Sequence, residues 1–284
     1  MSRVAILTYH PIHLDDASYS GNDLVALERD LAVIERVGIP VRSLDQIFTD
    51  AGEDSLLQEL GPATVAITFD DGSEFDFIDR SHPALGPQRS AATVLSQSAL
   101  RLECLSGARP LASTFVIASP EARAELDRND YASGEYWTDH WWRDAARSGA
   151  LGIESHSWDH NHPSIARSAQ RNNERGTFMN IETEAEADAE IARSVAFIGE
   201  RSGTPPRFFG YPWGQGNDFL ARDYLPRRGP ELGLRAAVAS APVISGYVTA
   251  ASERWLVPRF VCGWDWKSES DLEALLLGLY RDPL

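Results

Sequence analysis

Two adjacent carboxylates, Asp70 and Asp71, close the apolar run "TVAITF" at 64 to 69 and are followed by Gly72. Neighbouring carboxylates at a strand end repel each other unless a cation or a proton separates them. One of the pair is therefore expected to be neutralised by a metal, the alternative being an ordinary polar Asp-Asp-Gly turn. A second group stands in "GIESHSWDHNHPS", where His156, His160 and His162 fall within seven residues of a chain that has seven histidines in all. A spacing of four places two imidazoles on one helical face. Two histidines and one carboxylate make a nitrogen-and-oxygen set of the kind hydrolytic Zn²⁺ uses, with positions left open for water and a substrate oxygen. The expected ligands are Asp71, His156 and His160, with Zn²⁺ the expected ion and Co²⁺, Ni²⁺ or Mn²⁺ the alternatives. Asp70 then remains free to take a proton from the attacking water.

These residues need a scaffold that brings distant strand ends together. Short apolar segments alternate with helical patterns: "RVAILTYH" from 3, "TVAITF" from 64, "STFVIA" from 113, "LGIES" from 151, "RFFGYP" from 207, "AAVAS" from 236 and "VPRFV" from 257. Strand and helix in alternation predict a parallel α/β architecture. Helices are predicted over 23–37, 89–105, 184–200 and 269–281, the third opened by a Thr183–Glu186 capping box. No repeat or low-complexity linker divides the chain, so one domain over 1–284 is expected. At 284 residues and 43% hydrophobic content, with no apolar stretch near 20 residues, no transmembrane segment is expected. The first residues lack the basic region, apolar core and small-residue cleavage site of a secretion signal, and two cysteines make no disulfide framework, so a cytoplasmic location is expected. A formal net charge of −16 argues against nucleic acid or an anionic membrane surface as partner.

"TFDDG" followed by His-Ser-x-x-His resembles the polysaccharide deacetylases, the NodB-homology or carbohydrate esterase family 4 proteins, which remove N-acetyl groups from aminosugar polymers. The resemblance implies a distorted, incomplete (β/α) barrel of about seven parallel strands, with Asp70 as base and Asp71, His156 and His160 holding the metal. "FFGYPWG" at 208 to 214 is similar to the family's third motif, a loop whose backbone N–H, here near Tyr211, helps hold the oxyanion; "WDWKS" at 264 to 268 resembles the fourth. Three departures stand out. Gly210 occupies the place where many members have the arginine that clamps the base, leaving Arg207 or Arg259 to substitute, or no clamp at all. "NH" intervenes before Pro163, so His162 is an alternative ligand. No histidine follows Trp266 to serve as the general acid.

The opening strand supplies one. In the branch of the family that deacetylates poly-N-acetylglucosamine the motif order is circularly permuted, and "AILTYH" resembles its N-terminal strand ending in Tyr-His. A barrel closes its first strand against its last, so a final strand can move to the front of the chain without moving its side chain in space. His10 is then the expected acid, oriented by Asp265. Trp213, Trp266 and Trp264 are expected to stack on a sugar or flank the acyl methyl, and His82 and the Trp137 to Trp142 segment to line the pocket. The implied substrate is an acetylated or formylated aminosugar in a glycan or glycan precursor. A cyclic amide or ureide acted on by a small-molecule amidohydrolase is one alternative, and a non-catalytic glycan-binding module another.

Overall fold

The structure, a computed structural model, describes residues 2–106, 112–131, 134–170 and 172–280. The apolar runs become strands: β1 (Arg3–Tyr9), β2 (Ala63–Phe69), β3 (Ala112–Val116), β4 (Leu151–Ser155), β5 (Phe208–Gly210), β6 (Ala236–Ala239), β7 (Val257–Pro258) and β8 (Phe260–Val261). They form one parallel sheet in the order β8-β1-β2-β3-β4-β5-β6-β7. Strands covered on both faces can be apolar throughout, and β2 is buried at all of its positions.

The two ends of this sheet are a single stretch of chain. β7 and β8 are separated only by Arg259; Val257 pairs with Val238 on one side, and Phe260 pairs with Leu7 on the other. The sheet therefore curls into a barrel-like ring of seven strand positions with the first strand beside the last, as the permuted motif order requires. An α/β barrel of this kind was the expectation, and the structure has it.

The helix Asp23–Val37 forms where predicted. Asn22 caps it by accepting the Leu24 and Val25 N–H groups, Gly38 ends it at φ 76, and Leu24, Leu27, Leu31 and Ile34 line its buried stripe. The predicted 184–200 helix runs from Glu184 to Ser202 and contains a π turn at Asp188–Ala192. Thr183 accepts the Glu186 N–H, but Glu186 returns to the Glu182 N–H and the Thr183 hydroxyl rather than to the Thr183 N–H. The helix predicted over 89–105 spans Ala91–Ser106, and that over 269–281 ends at Leu277 in a 3₁₀ turn, Gly278–Tyr280; residue 281 lies outside the described residues. Helices at Pro120–Asp130, Trp142–Ser148 and Leu225–Glu231, and a hairpin pairing Arg80–His82 with Gly86–Gln88, were not predicted. Among the described residues no helix is long and apolar enough to cross a membrane.

Two buried carboxyls hold the barrel wall. Asp30 accepts hydrogen bonds from Tyr9 Oη at 3.0 Å, Tyr19 Oη at 2.6 Å and Trp266 Nε1 at 2.9 Å. Trp266 is thus a core residue, edge-on to Tyr9 at 5.5 Å, and the expectation that it meets a sugar is corrected: its indole N–H is already engaged inside the protein. Glu154 Oε2 accepts the Arg207 and Phe208 N–H groups at 2.7 and 2.9 Å, tying β4 to the start of β5.

Burial pushes the Glu154 carboxyl from its ordinary 4.5 up to about 8, against the lowering effect of those two N–H groups. Between these values the unfolded chain has released a proton that the folded chain still holds, so stability must fall as pH rises through that window. Relative to Glu154→Gln, the wild type is expected to lose stability from pH 5 to pH 8, by about 3.5 kcal/mol. Urea unfolding of both proteins at the two pH values checks this. A pH-independent difference would mean the carboxyl is already ionised in the fold.

Candidate active site

The candidate side chains come from the C-terminal ends of the barrel strands and the loops that follow them, where parallel α/β folds collect their sites. β2 delivers Asp70 and Asp71, and the turn needs left-handed backbone at Asp71, φ 75, and at Gly72, φ 74. A Cβ on Gly72 would lie 2.5 Å from Val116 Cγ1, so the position admits only glycine. β4 delivers His156, whose Nδ1 lies 2.8 Å from the Gly210 carbonyl oxygen. A carbonyl only accepts, so Nδ1 carries the proton and the Nε2 lone pair faces the carboxylates. Gly210 is explained by the same contact: a Cβ there would fall 2.9 Å from the Phe115 ring and 3.2 Å from His156 Nδ1, leaving no place for a clamping arginine.

His160 arrives by a loop, and the helical face predicted for the two histidines is corrected. Ser157, His160 and Asn161 all have positive φ, at 67, 61 and 47, and this left-handed backbone folds the loop back so that the two rings approach to 4.8 Å between centroids. Hydrogen bonds hold this conformation in place. Ser157 Oγ accepts the His160 N–H at 2.9 Å, and the fully buried Glu190, carried on the π turn, accepts the Trp158 and Asp159 N–H groups at 3.2 and 3.4 Å. The sequence reading missed Glu190; only the histidine-rich loop it braces carried a signal.

One Asp71 oxygen lies 3.7 Å from His156 Nε2 and 3.6 Å from His160 Nε2. These separations are too long for hydrogen bonds and close to the ~3.3 Å between donors on a tetrahedral ion with bonds of about 2.0–2.1 Å. The three donor atoms all lie within 4.8 Å of one another. Burial pushes the His160 imidazole well below its ordinary range, which favours the neutral ring that a metal ligand needs. The donor set fits a divalent cation.

Asp70 is held separately. Arg259, at the break between β7 and β8 and fully buried, grips it with two parallel bonds, NH1 to Oδ1 at 2.7 Å and NH2 to Oδ2 at 2.8 Å. Burial pushes the Asp70 carboxyl up, but Arg259 outweighs it and holds the group at about 2, ionised throughout the neutral range. The Asp70 N–H donates to the Tyr9 carbonyl at 3.0 Å, which fixes the end of β1 beside Asp70. The next residue, His10, lines the same cleft of about 870 Å³ as Asp70, Asp71, His156 and His160.

The family model described as polysaccharide deacetylase matches residues 58–225, more than half of the chain. The chain belongs to the polysaccharide deacetylase family. Solved structures of low identity share the fold. The deacetylase PplD of Streptococcus pyogenes, in complex with acetate, is 15% identical, with a TM-score of 0.61 over 96% of this chain and 98% of that one. IcaB from Ammonifex degensii is 17% identical, with a TM-score of 0.59 over 97% of each chain. A de-N-acetylase from Aggregatibacter actinomycetemcomitans is 18% identical, with a TM-score of 0.56 over 91% of this chain and 94% of that one. No curated protein sequence matches.

Against this family frame, several expected site residues lie elsewhere. Asp265 does not orient His10: its carboxylate accepts from Ser245 Oγ at 2.8 Å and from the Val261 N–H at 2.7 Å, closing its own turn. What holds His10 is Asp23, whose Oδ2 accepts the His10 backbone N–H at 2.7 Å while Oδ1 lies 2.8 Å from His13 Nδ1. Tyr211 is buried outside the cleft, its N–H engaged by the Val238 carbonyl and its hydroxyl by the Trp255 carbonyl, so neither group is available to an oxyanion. Arg207 sits at the opposite end of the barrel with Asp45 and Asp50; Arg259 is the clamp. His82 lies on the hairpin and lines a neighbouring depression with Asp15, Asp130, Tyr131 and Tyr136. Trp141 and Trp142 are core residues. Trp137, Trp213 and Trp264 do line the cleft, with Trp264 68% exposed at its mouth. His162 lines it too but stands outside the three-donor set.

Proposed function

We propose that this chain is a metal-dependent hydrolase that removes an N-acyl group, acetyl or formyl, from an aminosugar unit of a glycan or glycan precursor. The observation that carries the reading is the shared cleft: an arginine-locked carboxylate beside a three-donor set, with a histidine from the neighbouring strand. Asp71, His156 and His160 would hold the cation, which when bound supplies a Lewis acid for the amide carbonyl and for water. Asp70 accepts the proton of the attacking water, and Arg259 keeps its two oxygens fixed while it does so. His10 gives a proton to the departing nitrogen, since an amine leaves poorly unless protonated. Trp213 and Trp264 offer flat apolar faces to a pyranose ring.

A screen of purified protein against acetylated and formylated aminosugars and against cyclic amides, scored by released acetate, formate or amine, tests the reaction class. Release from the cyclic amides alone would overturn the reading. The metal assignment has its own check. His160→Ala is expected to abolish stoichiometric Zn²⁺ binding measured by elemental analysis after dialysis, whereas His162→Ala retains it. The reverse pattern would make His162 the ligand.

A further inference from the structure

His162 is a residue of the cleft whose chemistry the proposed mechanism leaves unused. The Asn161-His162 pair inserted before Pro163 carries it past the donor set and lays its ring against Trp213, with centroids 5.5 Å apart and planes within 24°. Trp213 in turn meets His160 edge-on at 4.7 Å, so the wall of the cleft runs from a metal donor outward through Trp213 to His162. The Nδ1 of His162 accepts the Ser164 backbone N–H at 3.2 Å. A backbone N–H can only donate, so this nitrogen carries a lone pair, and the proton of the neutral ring must be on Nε2. Asp130 Oδ2, 3.9 Å from Nδ1, is beyond hydrogen-bond reach, and its Oδ1 accepts from Ser164 Oγ at 2.9 Å, which steadies the residue that fixes the tautomer.

The side chain is 23% exposed, and no hydrogen-bond partner for Nε2 stands among the described residues. A polar N–H set in an aromatic wall, outside the set that receives the acyl carbonyl, matches the hydroxyl-bearing edge of a sugar ring rather than its acyl group. We propose that His162 is a specificity-determining residue whose Nε2–H donates a hydrogen bond to a hydroxyl of the sugar seated against Trp213. This rests on the proposed function and names the part of that substrate the residue reads.

The test compares His162→Phe, which keeps the aromatic wall and removes the donor, with His162→Gln, which returns an amide N–H. The probes are the trimer of N-acetylglucosamine and 4-nitrophenyl acetate, which has no hydroxyl. His162→Phe is expected to raise KM for the trimer about five- to tenfold, the size of one net hydrogen bond. Its kcat should stay within about twofold of the wild type. KM for 4-nitrophenyl acetate and the metal stoichiometry should not move, and His162→Gln should recover most of the trimer KM. An unchanged trimer KM, an equal rise on both probes, or loss of metal in His162→Phe would each overturn the proposal. Wild-type protein that cleaves the nitrophenyl ester and releases no acetate from the trimer would overturn the aminosugar reading, and this proposal with it.

Discussion

Asp70→Asn is expected to keep one metal per chain and to lose two or more orders of magnitude in kcat on an N-acetylated sugar, about 3 kcal/mol or more of barrier. The amide is nearly isosteric with the carboxylate but cannot accept the proton of the attacking water. The fold adds a second consequence. Arg259 is fully buried and its two terminal nitrogens are committed to Asp70, so neutralising the aspartate leaves a buried cation without its counter-charge. Breaking a buried pair from one side typically costs about 3–5 kcal/mol of stability. The single variant should therefore unfold at lower urea concentration as well as turn over slowly, and the two effects must be separated. Asp70→Asn combined with Arg259→Met removes the orphaned charge and is expected to recover stability without recovering turnover. If turnover returned with stability, or if Asp70→Asn alone were fully active, the base would lie elsewhere.

The strands were legible because a parallel sheet buried on both faces writes itself as uninterrupted apolar runs, and "TVAITF" and "LGIES" correspond closely to Ala63–Phe69 and Leu151–Ser155. The helix Asp23–Val37 was legible from its stripe, its asparagine cap and its terminal glycine. Residue type and spacing pointed to Asp70, Asp71, His156 and His160 as candidates, and the resemblance to a permuted motif order pointed to His10. Which way a side chain faces was not legible. Tyr211 follows a three-residue strand, and one position decides between cleft and core. Arg207 enters that same strand at the far end, so its closeness in sequence to the third motif placed it a strand-length from the base it was a candidate to clamp. The spacing of His156 and His160 suits a helix or a tight loop equally well, and the three left-handed residues that decide for the loop have side chains that ordinary turns and helices also use. Asp23, rather than Asp265, reaches His10 because the barrel brings the start of the first helix against the end of β1; Asp265, for its part, satisfies the N–H of Val261 four residues back. Contacts of this kind are set by closure of the ring.

His10→Ala is expected to leave fold and metal content intact and to lower kcat on an amide by about 10²- to 10⁴-fold, while hydrolysis of 4-nitrophenyl acetate falls by less than about tenfold. The difference lies in the leaving group: nitrophenolate departs as a stable anion, whereas an amine needs a proton on nitrogen as the C–N bond breaks. The structure makes the comparison sharp, because the backbone of residue 10 is held independently of its imidazole. The Asp23 carboxylate takes the N–H of residue 10, and the carbonyl of Tyr9 takes that of Asp70, so the alanine variant keeps both anchors and the base stays where it was. Asp23→Ala offers the complementary measurement. It removes the anchor and leaves the imidazole, so it should lower amide turnover by less than His10→Ala does, and when the two changes are combined it should add little, since a displaced acid matters only while the acid is present. Equal losses on amide and activated ester in His10→Ala would instead make His10 a residue that shapes the cleft. Additive losses in the double variant would mean that Asp23 acts on the site through something other than the strand end it holds.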